Sequence, residues 1–161
     1  MNSPVLSNPI DVLNQDFTSD GIGPYPTFLG RGWSFPPSFS RRTASVAMVA
    51  GDLDIRESLW ILLSTSIGER IMLATYGCDL MSKVFTSLTT TTANEIASMA
   101  GNAITAWEPR VTVEHVSVLE NLDAQGWLNI SIDYFVRQTN SRGNLVYPFY
   151  LLEATLPPQS A

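Results

Sequence analysis

Three glutamates, one histidine and one cysteine are the side chains of this sequence that invite a catalytic reading. Glu57, Glu69 and Glu108 are candidates for the acid and base of glycoside hydrolysis, which needs two carboxyls held roughly 5–10 Å apart across a cleft. No spacing in the chain fixes such a pair. Helix capping accounts for Glu57 and Glu95, and a turn accounts for Glu69. His115 is the single histidine and lies in a strand pattern, where a lone imidazole reads as structural or exposed rather than as a base. Cys78 is the single cysteine, so no intramolecular disulfide can form, and it reads as a small packed hydrophobe rather than a nucleophile. Phosphate loops, dinucleotide fingerprints and zinc spacings do not occur in the sequence. The reading therefore assigns no catalytic residue, no metal and no cofactor, and expects a protein that is not an enzyme.

The elements that must hold these residues change character along the chain. Residues 1–30 carry prolines, glycines and three aspartates but no cation, and read as an extended arm. Phe17, Tyr25, Phe28, Trp33, Phe35 and Phe39 predict that the part beyond residue 17 packs on the domain or on a neighbour. Residues 43–50 predict a short strand closed by Gly51. Asp54 with Glu57 predicts a capping box for a helix whose stripe is Ile55, Leu59, Leu62 and Leu63, with Gly68 as its left-handed cap. A short helix is predicted over 79–88, with Leu80, Val84 and Leu88 on one face. A third helix is predicted from a Thr92–Glu95 capping box, through Ile96, Ala100 and Ile104, to Glu108, where Pro109 ends it.

From residue 111 the period becomes 2. Val111 and Val113 lie on one phase and Val116 and Val118 on the other, which predicts a β-bulge near His115. NLDAQG (121–126) reads as a turn. Leu128, Ile130, Ile132, Tyr134 and Val136 line one face of a strand over 127–138. TNSRGN (139–144) reads as a polar loop, and 145–155 as a third strand. The expected fold is α+β: three helices in the N-terminal half packed on a C-terminal antiparallel meander of three strands. The expected organisation is an arm over 1–30, one domain over 31–156 and a tail over 157–161.

Composition narrows the function classes. The 161 residues include 15 acidic and 9 basic side chains, a net charge of −6, and only 15% are charged. The acidic balance argues against a nucleic-acid backbone as partner, since that needs clustered cations to replace counterions. A hydrophobic share of 45% argues against disorder. Eight of the nine cations are arginine, and arginine suits interfaces because it makes forked contacts and desolvates more readily than lysine. The pattern is that of a subunit whose surface is covered by partners. The first fifteen residues lack the basic start and apolar core of a signal peptide, and the longest apolar run, Leu59–Leu63, is too short to span a membrane. The expectation is synthesis in the cytoplasm with no membrane partner.

Three segments say more when taken in order: FLGRGWSFPPSF (28–39), GERIMLATYGCDL (68–80) and AWEPRV (106–111). Together they resemble the baseplate-wedge, lysozyme-like family of contractile phage tails, type VI secretion baseplates and phage-tail-like contractile injection systems, over residues 28 to 154. The resemblance implies a sheath initiator: a structural baseplate component, built like the handshake portion of a sheath subunit. Its implied partners are sheath subunits of the first ring, larger wedge proteins and central hub or tube proteins, in six copies per particle. The alternative is a peptidoglycan-cleaving lysozyme of the tail baseplate.

Individual residues carry two readings. Glu108, Pro109 and Arg110 either end a helix and complement its dipole, or form a charged docking pair on a rigid exit, which the resemblance favours. Glu69 and Arg70 form a solvated turn, or the pair that the family repeats beside Tyr76–Gly77–Cys78. Gly77, with Gly68 and Cys78 at the same turn, permits a positive φ or a close backbone approach. Arg31 and Trp33 wedge the arm against a partner, or cover a satellite core. Strand pairing is the expected mechanism, with sheath arms adding to an edge at 127–138 or 145–155.

Overall fold

A computed structural model describes residues 29–120 and 127–150. The arm before residue 29, the 121–126 turn and the end of the third strand over 151–155 lie outside them. Two small ladders come first. Strands β1 (Arg31–Trp33) and β4 (Met48–Ala50) pair antiparallel, and so do β2 (Phe39–Ser40) and β3 (Ser45–Val46). Helix α1 (Asp52–Ser64) and helix α2 (Thr90–Trp107) follow, and then the sheet β5 (Val111–Glu120), β6 (Trp127–Val136) and β7 (Ser141–Tyr150). The strand order is β5-β6-β7, all antiparallel, so β6 is the inner strand.

Period 2 in β6 becomes a buried face of Leu128, Ile130, Ile132, Tyr134 and Val136. Helix α2 lies against β5, and α1 against α2 and β7. Ile55, Leu59 and Leu62 from α1 and Ile96, Ala100 and Ile104 from α2 meet that face in one core, which also takes in Leu29. Each of the leucine and isoleucine side chains contributes about 1.5–3 kcal/mol by leaving water. Trp60 of α1 meets Tyr147 of β7 edge to face, with centroids 4.9 Å apart. The register shift expected near His115 falls between Val113 and His115.

The fold is α+β as expected, but among the described residues there are two α-helices rather than three. The predicted helix over 79–88 is a 3-10 helix, Asp79–Lys83. Its serine and threonine side chains compete with helical continuation: Ser82 Oγ donates to the Asp79 carbonyl and Thr86 Oγ1 to the Lys83 carbonyl. Leu80 and Val84 are nevertheless buried, so the apolar face exists without the helix.

Both predicted capping boxes are displaced. Helix α1 starts at Asp52 after Gly51, which has φ +69° and makes no side-chain cap. Asp54 and Glu57 are thereby released for other partners. Helix α1 ends at extended Thr65, and Gly68, at φ +89°, lies in the loop beyond instead of capping it. In α2 the cap is Thr89, whose Oγ1 accepts the Thr92 N–H at 3.1 Å. Four threonines in a row offer the same chemistry at each position, so spacing alone could not select one. Helix α2 does end at Trp107, before Pro109.

Strand β7 begins at Ser141, inside the segment expected to be a loop. The turn is Arg137–Asn140, with Asn140 at φ +56°. Gly143 is a strand residue lying under the Tyr134 ring, which a Cβ would overlap.

Candidate functional site

Two structures are built from the motif residues. The first is a polar seam. Pro109 stops α2, and the turn into β5 sets Glu108 and Arg110 side by side. Glu108 is only 4% exposed. Arg110 grips it as a fork: Nε donates to Oε1 and Nη2 to Oε2, each at 2.7 Å. Ser58 Oγ also donates to Glu108 Oε2 at 2.7 Å. The other guanidinium nitrogen, Nη1, donates to the Leu29 carbonyl at 3.0 Å and to Asp54 Oδ2. Glu57 Oε2 accepts the Phe35 N–H at 2.9 Å. Asp54, Ser58 and their neighbour Glu57 line the polar side of α1, and the incoming segment 29–35 is fastened across it. At Gly32 a Cβ would overlap the Asp54 carboxylate, so this close approach requires glycine.

The electrostatics follow from that geometry. Burial alone would raise the Glu108 carboxyl, but hydrogen bonds from Arg110 and Ser58 and the Arg110 charge hold it below its ordinary value of 4.5. The bonds to Glu108, working against burial, push Arg110 further into its charged form. Glu108 is thus an ionised acceptor with no proton to give, the opposite of a glycosidase's acid.

The second structure is the loop between α1 and the 3-10 helix. The Glu69 carboxylate accepts the Ser66 N–H at 2.9 Å. The Arg70 guanidinium lies 3.8 Å from the centre of the Tyr76 ring, and Tyr76 meets Trp107 edge to face at 5.4 Å. Gly77 has φ +124°, and a Cβ there would overlap the Thr65 carbonyl oxygen. Cys78 is buried, donates its N–H to that same oxygen, and burial pushes its thiol up to about 11. A thiol held protonated is a poor nucleophile.

The remaining residues stand apart from both. Arg31 pairs with Ala50 in β1, and Trp33 is exposed, touching Phe39 edge to face at 6.3 Å. His115 is exposed on β5 opposite Asp133. An open depression of about 500 Å³ beside α2 holds a single carboxylate, Glu95, already joined to Lys83. Among the described residues no group of three or more His, Cys, Asp or Glu is placed to hold a metal ion. No helix among them is long and apolar enough to cross a membrane.

Sequence reasoning grouped Glu108 with Arg110 but missed Asp54, Ser58 and the Leu29 carbonyl. The i, i+4 spacing of Asp54 and Ser58 on α1 was the available signal, since it puts both on one face. It also missed Ile71 and Met72, which the loop holds out at 95% exposure each.

Residues 49–141 match the family model for baseplate wedge protein gp25. No curated protein matches the chain in sequence. Among solved structures, a Geobacter sulfurreducens protein provisionally called a tail lysozyme is 44% identical, covering 63% of this chain and 92% of its own, with a TM-score of 0.59. A chain of the anti-feeding prophage baseplate, determined with six-fold symmetry, is 26% identical over 78% of this chain and 87% of its own, at a TM-score of 0.57. A chain of the type VI secretion baseplate complex is 15% identical over 62% and 92%, at 0.53, a likeness of fold.

Proposed function

The chain belongs to the baseplate wedge protein gp25 family, and from that premise we propose that it is a structural baseplate subunit of a contractile tail or injection particle that starts the sheath by strand pairing. The observation that carries this reading is the outer edge of β7. Strand β6 is internal, so the edge expected at 127–138 is not available; among the described residues the free edges belong to β5 and β7. Strand β5 carries the bulge, which blunts an edge. Strand β7 pairs with β6 without interruption from Ser141 to Tyr150.

Pro148 sets the direction of the β7 backbone. It has no N–H, so within a regular antiparallel ladder it belongs at a pair that makes no bonds to β6. Alternate residues share that orientation, so Arg142, Asn144 and Val146 turn their N–H and C=O groups outward. These are the groups an extended sheath segment would bond.

In this reading residues 31–156 are the docking domain, 1–30 an arm and 157–161 a tail, with six copies around the tail axis. Arg31 and Trp33 face wedge, hub or tube proteins. Glu108, Pro109 and Arg110 dock the wedge proteins through the shape that their seam imposes, with Glu69, Arg70, Gly68, Gly77 and Cys78 fixing the adjoining loop. The protein is made in the cytoplasm and acts without catalysis.

The test is Val146→Pro, which removes one outward N–H and leaves the β6 ladder intact. Particles carrying it are expected to show complete baseplates with sheath lost or detached by electron microscopy. Firmly attached, full-length sheaths on those particles would refute strand pairing at β7. Hydrolysis of peptidoglycan by the purified chain, abolished by a single Glu→Ala change, would favour the lysozyme alternative instead.

A further inference from the structure

Tyr134 lies on the buried face of β6, but the end of its ring crosses to the neighbouring strand β7. A Cβ on Gly143 would fall 2.5 Å from its Cζ and 2.7 Å from its hydroxyl, so glycine is what lets the phenol through. Tyr134 is only 2% exposed, and among the described residues its hydroxyl has no hydrogen-bond partner. No fully enclosed side-chain N or O among those residues lacks a partner, so this hydroxyl reaches open space. That space is a cavity of about 190 Å³ between the start of α1 and residues 141–144 of β7. A buried hydroxyl left without an acceptor costs free energy, which an incoming acceptor recovers.

The lining gives the chemistry of that acceptor. Arg56 lines the cavity and makes no ion pair among the described residues. Arg142 lines it too, with its guanidinium 3.3 Å from the exposed Glu114 carboxylate. Against these two cations stands one carboxylate, Asp52. Helix α1 begins at Asp52 without a side-chain cap, so its first amides add positive potential. Burial raises the Tyr134 hydroxyl above its ordinary value of 10, with Arg56 opposing and Asp52 adding, so the proton stays on. A guanidinium and an O–H facing one small space both donate, and a carboxylate accepts from both. The volume falls below the roughly 300–1,000 Å³ of small-molecule pockets, which suits a single side chain.

The position of the cavity selects the kind of partner. Arg142 and Asn144, whose backbone groups turn outward for strand pairing, both line it. Gly143 pairs with Tyr134 and shares its face, so a residue of an added strand standing across from Gly143 projects to that face as well. We infer that this cavity is a carboxylate pocket, in which Arg56 and the Tyr134 hydroxyl hold an aspartate or glutamate of the extended segment that pairs with β7. The identity of the segment rests on the strand-pairing reading above, whereas its negative charge rests on the cavity.

The experiment compares particles carrying the full-length chain as Arg56→Gln, Tyr134→Phe, Arg56→Glu or Val146→Pro. Arg56 is exposed and phenylalanine keeps a ring over Gly143, so the first two are expected to keep the wild-type thermal transition. Each is expected to leave about tenfold fewer particles with attached sheath by electron microscopy. Arg56→Glu is expected to abolish attachment and to be rescued by a sheath variant in which one acidic residue becomes lysine. Full attachment in Arg56→Gln and Tyr134→Phe, with loss in Val146→Pro, overturns the pocket and leaves strand pairing standing. Full attachment in all four overturns both readings. Firmer attachment with Arg56→Glu means a cationic occupant held by Asp52, and overturns the inference. So does rescue that leaves every acidic residue of the sheath in place.

Discussion

Glu108 and Arg110 are charged and turned inward, whereas Ile71 and Met72 are apolar and turned outward. The two regions are joined through Tyr76, which touches Trp107 on one side and Arg70 on the other. Residue class alone would have reversed the two directions. Glu108 tolerates burial because its carboxylate oxygens find the Arg110 fork and the Ser58 hydroxyl. Ile71 and Met72 stay in water because their backbone is tied at both ends of the loop, and collapse would break those bonds. In this chain charge builds the shape, and hydrocarbon is what the shape displays.

Removing the inward cation should break that contrast most strongly. Arg110→Ala leaves Glu108 buried and Asp54 unpaired, and is expected to cost about 3 kcal/mol in urea unfolding. A wild-type midpoint would show that the seam does not carry the fold. Next is Gly77→Ala, which forces a Cβ against the Thr65 carbonyl at φ +124° and should cost about 2 kcal/mol. Hydrogen exchange would register it as faster exchange at the Gly68 and Leu73 amides, and unchanged protection there would mean the Ile71–Met72 loop is not tied as described.

Acid should weaken the seam, with a smaller effect. The Glu108 carboxyl is held below its ordinary 4.5 in the folded chain, so the unfolded chain binds its proton first as pH falls. The stabilisation is complete above about pH 4.5 and is lost as pH drops through the folded value. Arg110→Ala should flatten that part of the stability–pH curve, and an unaltered acid limb would place the dependence elsewhere.

Much of the core was legible because it is periodic. The β6 face, the bulge by His115 and the Pro109 stop each leave a local mark in the chain. The seam leaves only the Glu108–Arg110 pair and the i, i+4 spacing of Asp54 and Ser58, because Arg110 reaches residues 56 and 81 positions away. Asp54 and Glu57 match a capping box, and only the tertiary fold shows that Gly51 starts the helix and frees both carboxylates. The start of β7 was hidden for a similar reason. Gly143 looks like a turn residue until the Tyr134 ring is found lying over it. In an aperiodic loop nothing tells an apolar side chain which way to point, so the display of Ile71 and Met72 could not be read at all.

The bond between Arg110 and Leu29 also sets a timetable for synthesis. The chain emerges from its N-terminal end, and 81 residues separate the two partners. At about 5–20 residues per second, the ribosome makes Arg110 roughly 4 to 16 s after Leu29. For that interval the segment bearing Trp33, Phe35 and Phe39 has no guanidinium to fasten it to α1. A newborn chain therefore carries this segment unfastened before the seam draws it onto α1, and its three aromatics stay exposed once it is fastened.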